Sequence, residues 1–368
     1  MFHSELFHSY SDDEETTYKV RRSATKLLSA VIGTRPELLA TIYRTIAPVL
    51  INRFGDREES VRLEIWSAYS LLLQQTGVYG AAPQAQTEGQ IGTKRKREEE
   101  GMDVEDTPHS LLRSQVPSLS KALIRQLQAK TSAATIQAGF TLLHTLLSVS
   151  PGCLSGQIVS LTSVISTVLN KPPSSTSSSL HIAIISFLDL FFSTHSPPAF
   201  SQSLPQLTAP LVASLSEKDP RIAATAFHAF STLLKSLKPI RNADWADSLY
   251  VKALERLERN DTDVTVREKS EECIAELWLC AAETVRVKGG QEWLALRKSG
   301  RTEGSVKVIE KVARGVDFAE DWVDESVQWI LSVIRKTGRF QKDEAFACLE
   351  ALLGKYAICI YSLLPEPC

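Results

Sequence analysis

The sequence predicts an all-α fold: a HEAT-repeat α-solenoid, in which antiparallel helix pairs stack into a superhelix. Three observations carry the prediction. One turn-and-helix pattern recurs about every forty residues, prolines fall at repeated places inside apolar runs, and no strand-like alternation runs between hairpin turns.

The repeated pattern is an acidic or polar turn, a branched apolar residue often followed by Lys or Arg, and then an amphipathic helix. It reads DDEETTYKVRRSATKLL from Asp12, GDREESVRLEIWSAYSLLL from Gly55 and AKTSAATIQAGFTLLHTLL from Ala129. It returns as SSTSSSLHIAIISFLDLFF from Ser174, SEKDPRIAATAFHAFSTLL from Ser216 and NDTDVTVREKSEECIAELW from Asn260, with weaker copies at TEGSVKVIEKVA and QKDEAFACLEALL. Aligned on the branched residue, the anchors are Val20, Val61, Ile136, Leu180, Ile222, Val266, Val306 and, weakest, Ala345. Their spacings are 41, 75, 44, 42, 44, 40 and 39 residues. The long interval holds the polar stretch Gly77 to Thr107, and removing that stretch restores the period.

Between anchors lies a first helix with marks of its own. TIAPVLINRF around Pro48, SQVPSLSKAL around Pro117 and LTAPLVASL around Pro210 each carry proline inside an apolar helical run. Proline lacks the backbone donor and crowds the preceding turn, so a bend is expected at each. Pro36, Pro108, Pro151 and Pro197 stand where a first helical turn tolerates a missing N–H. A bent first helix and a straight second one, at this period, form the HEAT-type unit. Such a pair cannot bury its apolar face alone, so stacked neighbours supply the core of a right-handed strip with an extended concave face.

The expected organisation is HEAT repeats over 1–76, the first incomplete, a disordered charged insert over 77–107, HEAT repeats over 108–356 and an irregular tail over 357–368. The insert is rich in Gly, Ala, Gln and charge and cannot offset the entropy of ordering. Inside it, Lys94, Arg95, Lys96 and Arg97 precede three glutamates. That run is a candidate nuclear-localisation signal or, equally, a solvated, self-neutralising charge block. The first clear unit starts at its second helix, and neither end reads as a polar capping repeat. The expectation is a slice of a longer solenoid, whether a separate subunit, a cleaved piece or an incomplete gene prediction, and its missing parts count among the expected partners.

Charge and composition exclude several classes. Lys and Arg number 41 against 43 Asp and Glu, a formal net charge of −2. That balance argues against a nucleic-acid or membrane-surface binder, which needs a basic surplus. The amino-terminal stretch lacks a cationic segment followed by an apolar core, and the longest apolar run, Ile182 to Phe192, is broken by Ser186 and Asp189. Six cysteines are scattered without a C-x-x-C pair, as expected for buried thiols in a reducing compartment. The expected location is nucleus and cytoplasm.

A catalytic site should leave a constellation of side chains, and none is found. The seven histidines do not pair with cysteines or carboxylates at metal-ligand spacing, and His144, His181 and His228 lie within second helices. Cys273 and Cys280, seven apart on one helix, read as a buried stripe before half a metal site. Phosphate-cradling and nucleophile-elbow motifs are missing. No catalytic, cofactor-binding or metal residue is therefore assigned, and the protein is expected not to be an enzyme and to need no cofactor. The base after the anchor (Arg21, Arg62, Arg267, Lys307) reads as a ladder with turn acids such as Asp13, Asp56 or Asp263, in preference to a partner patch. Trp322 and Trp329, seven apart, read as inter-repeat packing, with partner hot spots as the alternative. Trp278 and Trp293 fall in adjacent segments.

Tyr10 to Thr76, YSDDEETTYKVRRSATKLLSAVIGTRPELLATIYRTIAPVLINRFGDREESVRLEIWSAYSLLLQQT, resembles a central segment of the cullin-associated and neddylation-dissociated (TBP-interacting) protein family. TPHSLLRSQVPSLSKALIRQL and SLHIAIISFLDLFFSTHSPPAF are similar to it too, and the likeness fades after about Asp261 while staying in register to about Tyr356. The resemblance implies a non-enzymatic scaffold that wraps an unmodified cullin and its RING-box subunit. It also implies covering of the lysine that takes the ubiquitin-like modifier, and exchange of F-box receptors by competition with the substrate adaptor. The family's amino-terminal repeats and carboxy-terminal TBP-interacting region are not seen in this sequence. Two other solenoid classes stand as alternatives: an importin-type nuclear transport receptor, whose amino-terminal arch is not visible, and a phosphatase-type scaffold, whose repeats are more regular.

Overall fold

Polar residues in the turns start the second helices by supplying acceptors to orphan backbone N–H groups. Ser132 Oγ accepts from Thr135 N at 3.1 Å, Asp219 Oδ1 from Arg221 N at 3.0 Å and Asp263 Oδ1 from Thr265 N at 2.9 Å. Before a first helix, Thr107 Oγ1 accepts from Ser110 N at 3.2 Å, with Pro108 at the first helical position. A computed structural model describes residues 4–80, 107–129, 131–174, 177–240, 244–259, 263–280, 302–315, 320–336, 338 and 342–360. Side chains at 4–16, 258, 302–304, 320–322 and 355–360 are not described. Among the described residues there is no strand.

The chain divides into two compact units, Met1–Val164 and Ile165–Cys368. The first contains α1 (Ser4–Thr34), α2 (Leu39–Thr45), α3 (Ala47–Asn52), α4 (Glu59–Tyr79), α5 (Pro108–Gln128), α6 (Ala133–Val149) and the start of α7 (Ile158–Leu169). Second helices α1, α4 and α6 pack in sequence as one layer, and first helices α2, α3 and α5 pack as another. An aromatic knot joins the layers: the Phe54 and Tyr69 rings lie 5.5 Å apart at 88°, with Trp66 at 6.1 Å from Phe54. The Tyr43 hydroxyl donates to Thr76 Oγ1 at 2.7 Å, because Thr76 gives its own proton to Leu72 O.

The second unit holds α8 (Ser178–Thr194), α9 (Leu204–Ser214), α10 (Pro220–Leu237), α11 (Asp244–Glu258) and α12 (Val264–Cys280). It continues with α13 (Thr302–Gly315), α14 (Glu320–Lys336) and α15 (Lys342–Ile360). Second helices α8, α10, α12, α13 and α15 form a continuous row, while α9 and α11 neighbour each other as first helices. Being flanked on both sides, α10 buries Ile222, Ala224, Phe227, Ala229, Phe230 and Ser231 together, which cover more than half of its circumference and not one stripe.

Of the prolines expected to bend first helices, one interrupts its helix and two do not. Pro48 splits its helix at Ile46 into α2 and α3, whereas Pro117 and Pro210 stay within α5 and α9. The carbonyls exposed near these defects find side-chain donors from neighbouring first helices. Gln115 Nε2 donates to Tyr43 O at 2.6 Å, and Ser166 Oγ donates to Gln206 O, four residues before Pro210, at 3.1 Å. Pro36 and Pro197 open short 3-10 turns and Pro108 opens α5. Pro151 opens no helix: Gly152 after it has φ 77°, a left-handed turn that L-residues avoid, and α7 begins only at Ile158.

Other expectations shift at their edges. α4 runs to Tyr79, into the segment read as insert from 77, because position 77 still packs on α6: a Cβ there would lie 3.3 Å from Val149 Cγ2. The last helix reaches Ile360, into the stretch read as an irregular tail over 357–368, since no proline interrupts it before Pro365. The anchor Val20 is 66% exposed, and the buried stripe of α1 passes instead through Thr25 and Ile32, on the face toward α4. Residues 81–106 of the insert lie outside the described residues.

Candidate interaction surface

The joints between successive second helices are closed by polar ladders, and the bases flanking the anchors take part. Arg21 on α1 meets both carboxylate oxygens of Asp56 at 3.2 Å, and the buried Asp56 also accepts from Glu58 N at 3.0 Å. Arg62 donates to Asp56 O at 3.0 Å and reaches Thr135 Oγ1 on α6 at 3.4 Å. Glu59 Oε1 accepts from Thr135 Oγ1 at 2.7 Å and from Ser132 Oγ, and these bonds hold its carboxyl below the usual range. Lys307 on α13 pairs with Glu344 on α15 at 3.2 Å.

The ladder reading therefore holds for Arg21 with Asp56, whereas Lys307 takes an acid outside the turns named from the repeat. Asp263 departs from the reading because its carboxylate caps α12. Asp13 has no described side chain.

A second network, invisible in the repeat alignment, runs across α10, α12 and α13. Glu276, its side chain 8% exposed, lies between Lys235 at 3.6 Å and Lys311 at 2.9 Å. Glu272 beside it pairs with Lys235 at 3.4 Å and Lys269 at 3.0 Å. Next to Glu272 in sequence, buried Glu271 has its carboxyl pushed up to about 7 by burial, opposed by Lys307 and Arg267. These charges offset one another along the row, which leaves it without a strong net field.

In the first unit, α4 and α6 leave a shallow groove of about 420 Å³ lined by Leu63, Trp66, Ser67, Ser70, Ala138 and Thr141. Small side chains along it admit a close approach by another surface.

The thiols and imidazoles singled out from the sequence lie in or beside the packed helix rows. Cys273 and Cys280 are buried, and burial pushes both thiols up, Cys280 to about 11. Cys280 Sγ donates to Leu234 O at 3.2 Å, which makes the pair part of the core stripe. His181 is buried and its imidazole held below the usual value by that burial. His228 sits 3.8 Å from Asp189 across α8 and α10. Among the described residues no three His, Cys, Asp or Glu gather as a metal site, and no described helix is long and apolar enough to cross a membrane. Trp278 is buried and Trp329 half-buried, in line with packing. The side chains of Trp293 and Trp322, and the basic run Lys94 to Arg97, lie outside the described residues.

Residues 152–274 match the family described as CAND1-like, TPR repeats. Cullin-associated NEDD8-dissociated protein 2 of Rattus norvegicus is 32% identical over 274 residues, 73% of this chain and 20% of that protein. Cullin-associated NEDD8-dissociated protein 1 of Drosophila melanogaster is 32% identical over 277 residues, 73% of this chain and 21% of that protein. The chain belongs to this family.

The C-terminal part of protein 1 from Emericella nidulans is 24% identical over 414 residues, covering 93% of this chain and 39% of that protein. The chain thus spans about a fifth of the first relatives' length. Its fold is also that of Kap95p in a structure with RanGDP, at TM-score 0.56 and 11% identity over 91% of this chain and 45% of that one. The family's description speaks of TPR repeats, but anchors about forty residues apart and first helices carrying an internal proline are HEAT features in this chain.

Proposed function

We propose that the chain is a non-enzymatic scaffold that docks on the cullin and RING-box core of a ubiquitin ligase. On this reading it regulates adaptor and F-box receptor exchange and access of the ubiquitin-like modifier. The observation that carries the reading is the 32% identity over 73% of the chain to proteins named for cullin association. Two features support it: rows of second helices with self-neutralised charge, and a shallow groove between α4 and α6 open to another surface. A flat, patterned face of this kind suits protein recognition better than capture of a small molecule. The proposed location is nucleus and cytoplasm, with the basic run Lys94 to Arg97 as the nuclear address.

Affinity capture from cell extract with this chain as bait, at moderate salt, tests the reading. Recovery of cullin and RING-box subunits is expected. Recovery of only a small GTPase or a phosphatase would reject it.

A further inference from the structure

In the second unit, α9 and α11 lie side by side and leave a groove of about 700 Å³. One wall is the stripe Leu204, Thr208 and Val212, spaced four apart on α9. The other is Trp245 with Ser248 on α11, and Pro239 and Ile240 form the floor. Trp245 stacks on Phe230, ring centroids 5.7 Å and planes 25° apart, so its indole is a fixed apolar surface. Ala209 and Ser248 are small and exposed, which lets a backbone come close.

Length and charge narrow the occupant. The α9 stripe covers about 12 Å at 1.5 Å per residue, the reach of three or four extended residues at about 3.3 Å each. Among the described lining residues, Asp244 is the one charged side chain. It is exposed in the first turn of α11 beside Asp247, and no described cation pairs with it. An acidic segment would be repelled there, and a basic side chain would gain an exposed ion pair that a wholly apolar segment forgoes.

We infer that this groove docks a short extended segment of a partner protein, apolar where it faces α9 and Trp245, with a Lys or Arg against Asp244. The adjacent indole face also attracts a cation. The inference does not depend on the cullin reading, because it concerns the first helices rather than the row of second helices.

The test is fluorescence anisotropy with the full chain and two labelled pentapeptides, Val-Pro-Leu-Lys-Val and its counterpart with Glu in place of Lys. The Lys peptide should bind about fivefold tighter, the scale of one exposed ion pair. Asp244→Lys should reverse the preference, and Ala209→Trp, which fills the groove, should remove binding of both. Equal affinities, no binding at millimolar peptide, or binding indifferent to both substitutions would overturn the proposal. So would self-association that Ala209→Trp abolishes, since the groove would then belong to a second copy. Asp244 is exposed, so its variant keeps the test valid if Ala209→Trp fails to fold.

Discussion

Lys311 Nζ lies 2.9 Å from Glu276 Oε1 across the joint between α12 and α13, and Lys235 reaches the same oxygen from α10 on the other side. One buried carboxylate thus ties three successive second helices. Loss of its charge alone, with the shape of the side chain kept, leaves two lysines without their shared partner.

Glu276→Gln should therefore cost about 1–2 kcal/mol, less than a fully buried pair because both lysines keep contact with water. Hydrogen exchange should show lost protection in α12 and α13 together, with the first unit unchanged.

Glu271 makes stability pH-dependent. Its folded carboxyl titrates near 7 against about 4.3 for an ordinary glutamate. A raised acid pKa means the folded state holds the proton more tightly, so its stabilising contribution is full below about 4.3 and is lost as pH rises through 7. Thermal melts of Glu271→Gln and the parent at pH 5 and pH 8 should differ in one direction: the variant gains relative to the parent at pH 8, by about 2 kcal/mol.

Asp56→Ala removes an acceptor shared by Arg21 and Glu58 N at a buried turn. A loss of about 2–3 kcal/mol is expected in chemical denaturation. Arg35→Ala, which breaks the exposed 3.4 Å pair with Glu37, should cost less than about 0.5 kcal/mol.

Gly139 on α6 faces Leu127 of α5 and Trp66 of α4. A Cβ there would meet Leu127 Cδ2 at 2.5 Å and Trp66 Cζ3 at 3.3 Å, all within the core. Gly139→Ala should lower the unfolding midpoint by the equivalent of about 1 kcal/mol, overpacking outweighing the better helix propensity.

The repeat was legible because its cause is local: turn acceptors, a branched anchor and proline each act within a few residues. Pro48 marked a real break for that reason, and Pro151 misled because with Gly152 it forms a Pro-Gly turn instead of a first helical turn. The Arg21–Asp56 rung was legible because both residues sit near their anchors. The Glu276 clamp was not. Lys235, Glu276 and Lys311 stand 13, 10 and 5 residues after Ile222, Val266 and Val306, so no repeat alignment brings them together. Their meeting depends on how neighbouring helices stack. The same holds for the α9–α11 groove, whose walls come from segments about forty residues apart.

The central claim is tested most directly by titrating the full chain with a purified cullin and RING-box complex, with and without the ubiquitin-like modifier attached. Saturable binding to the unmodified complex, much weakened by the modifier, is the predicted result. Binding to neither form, or equal binding to both, would contradict the account.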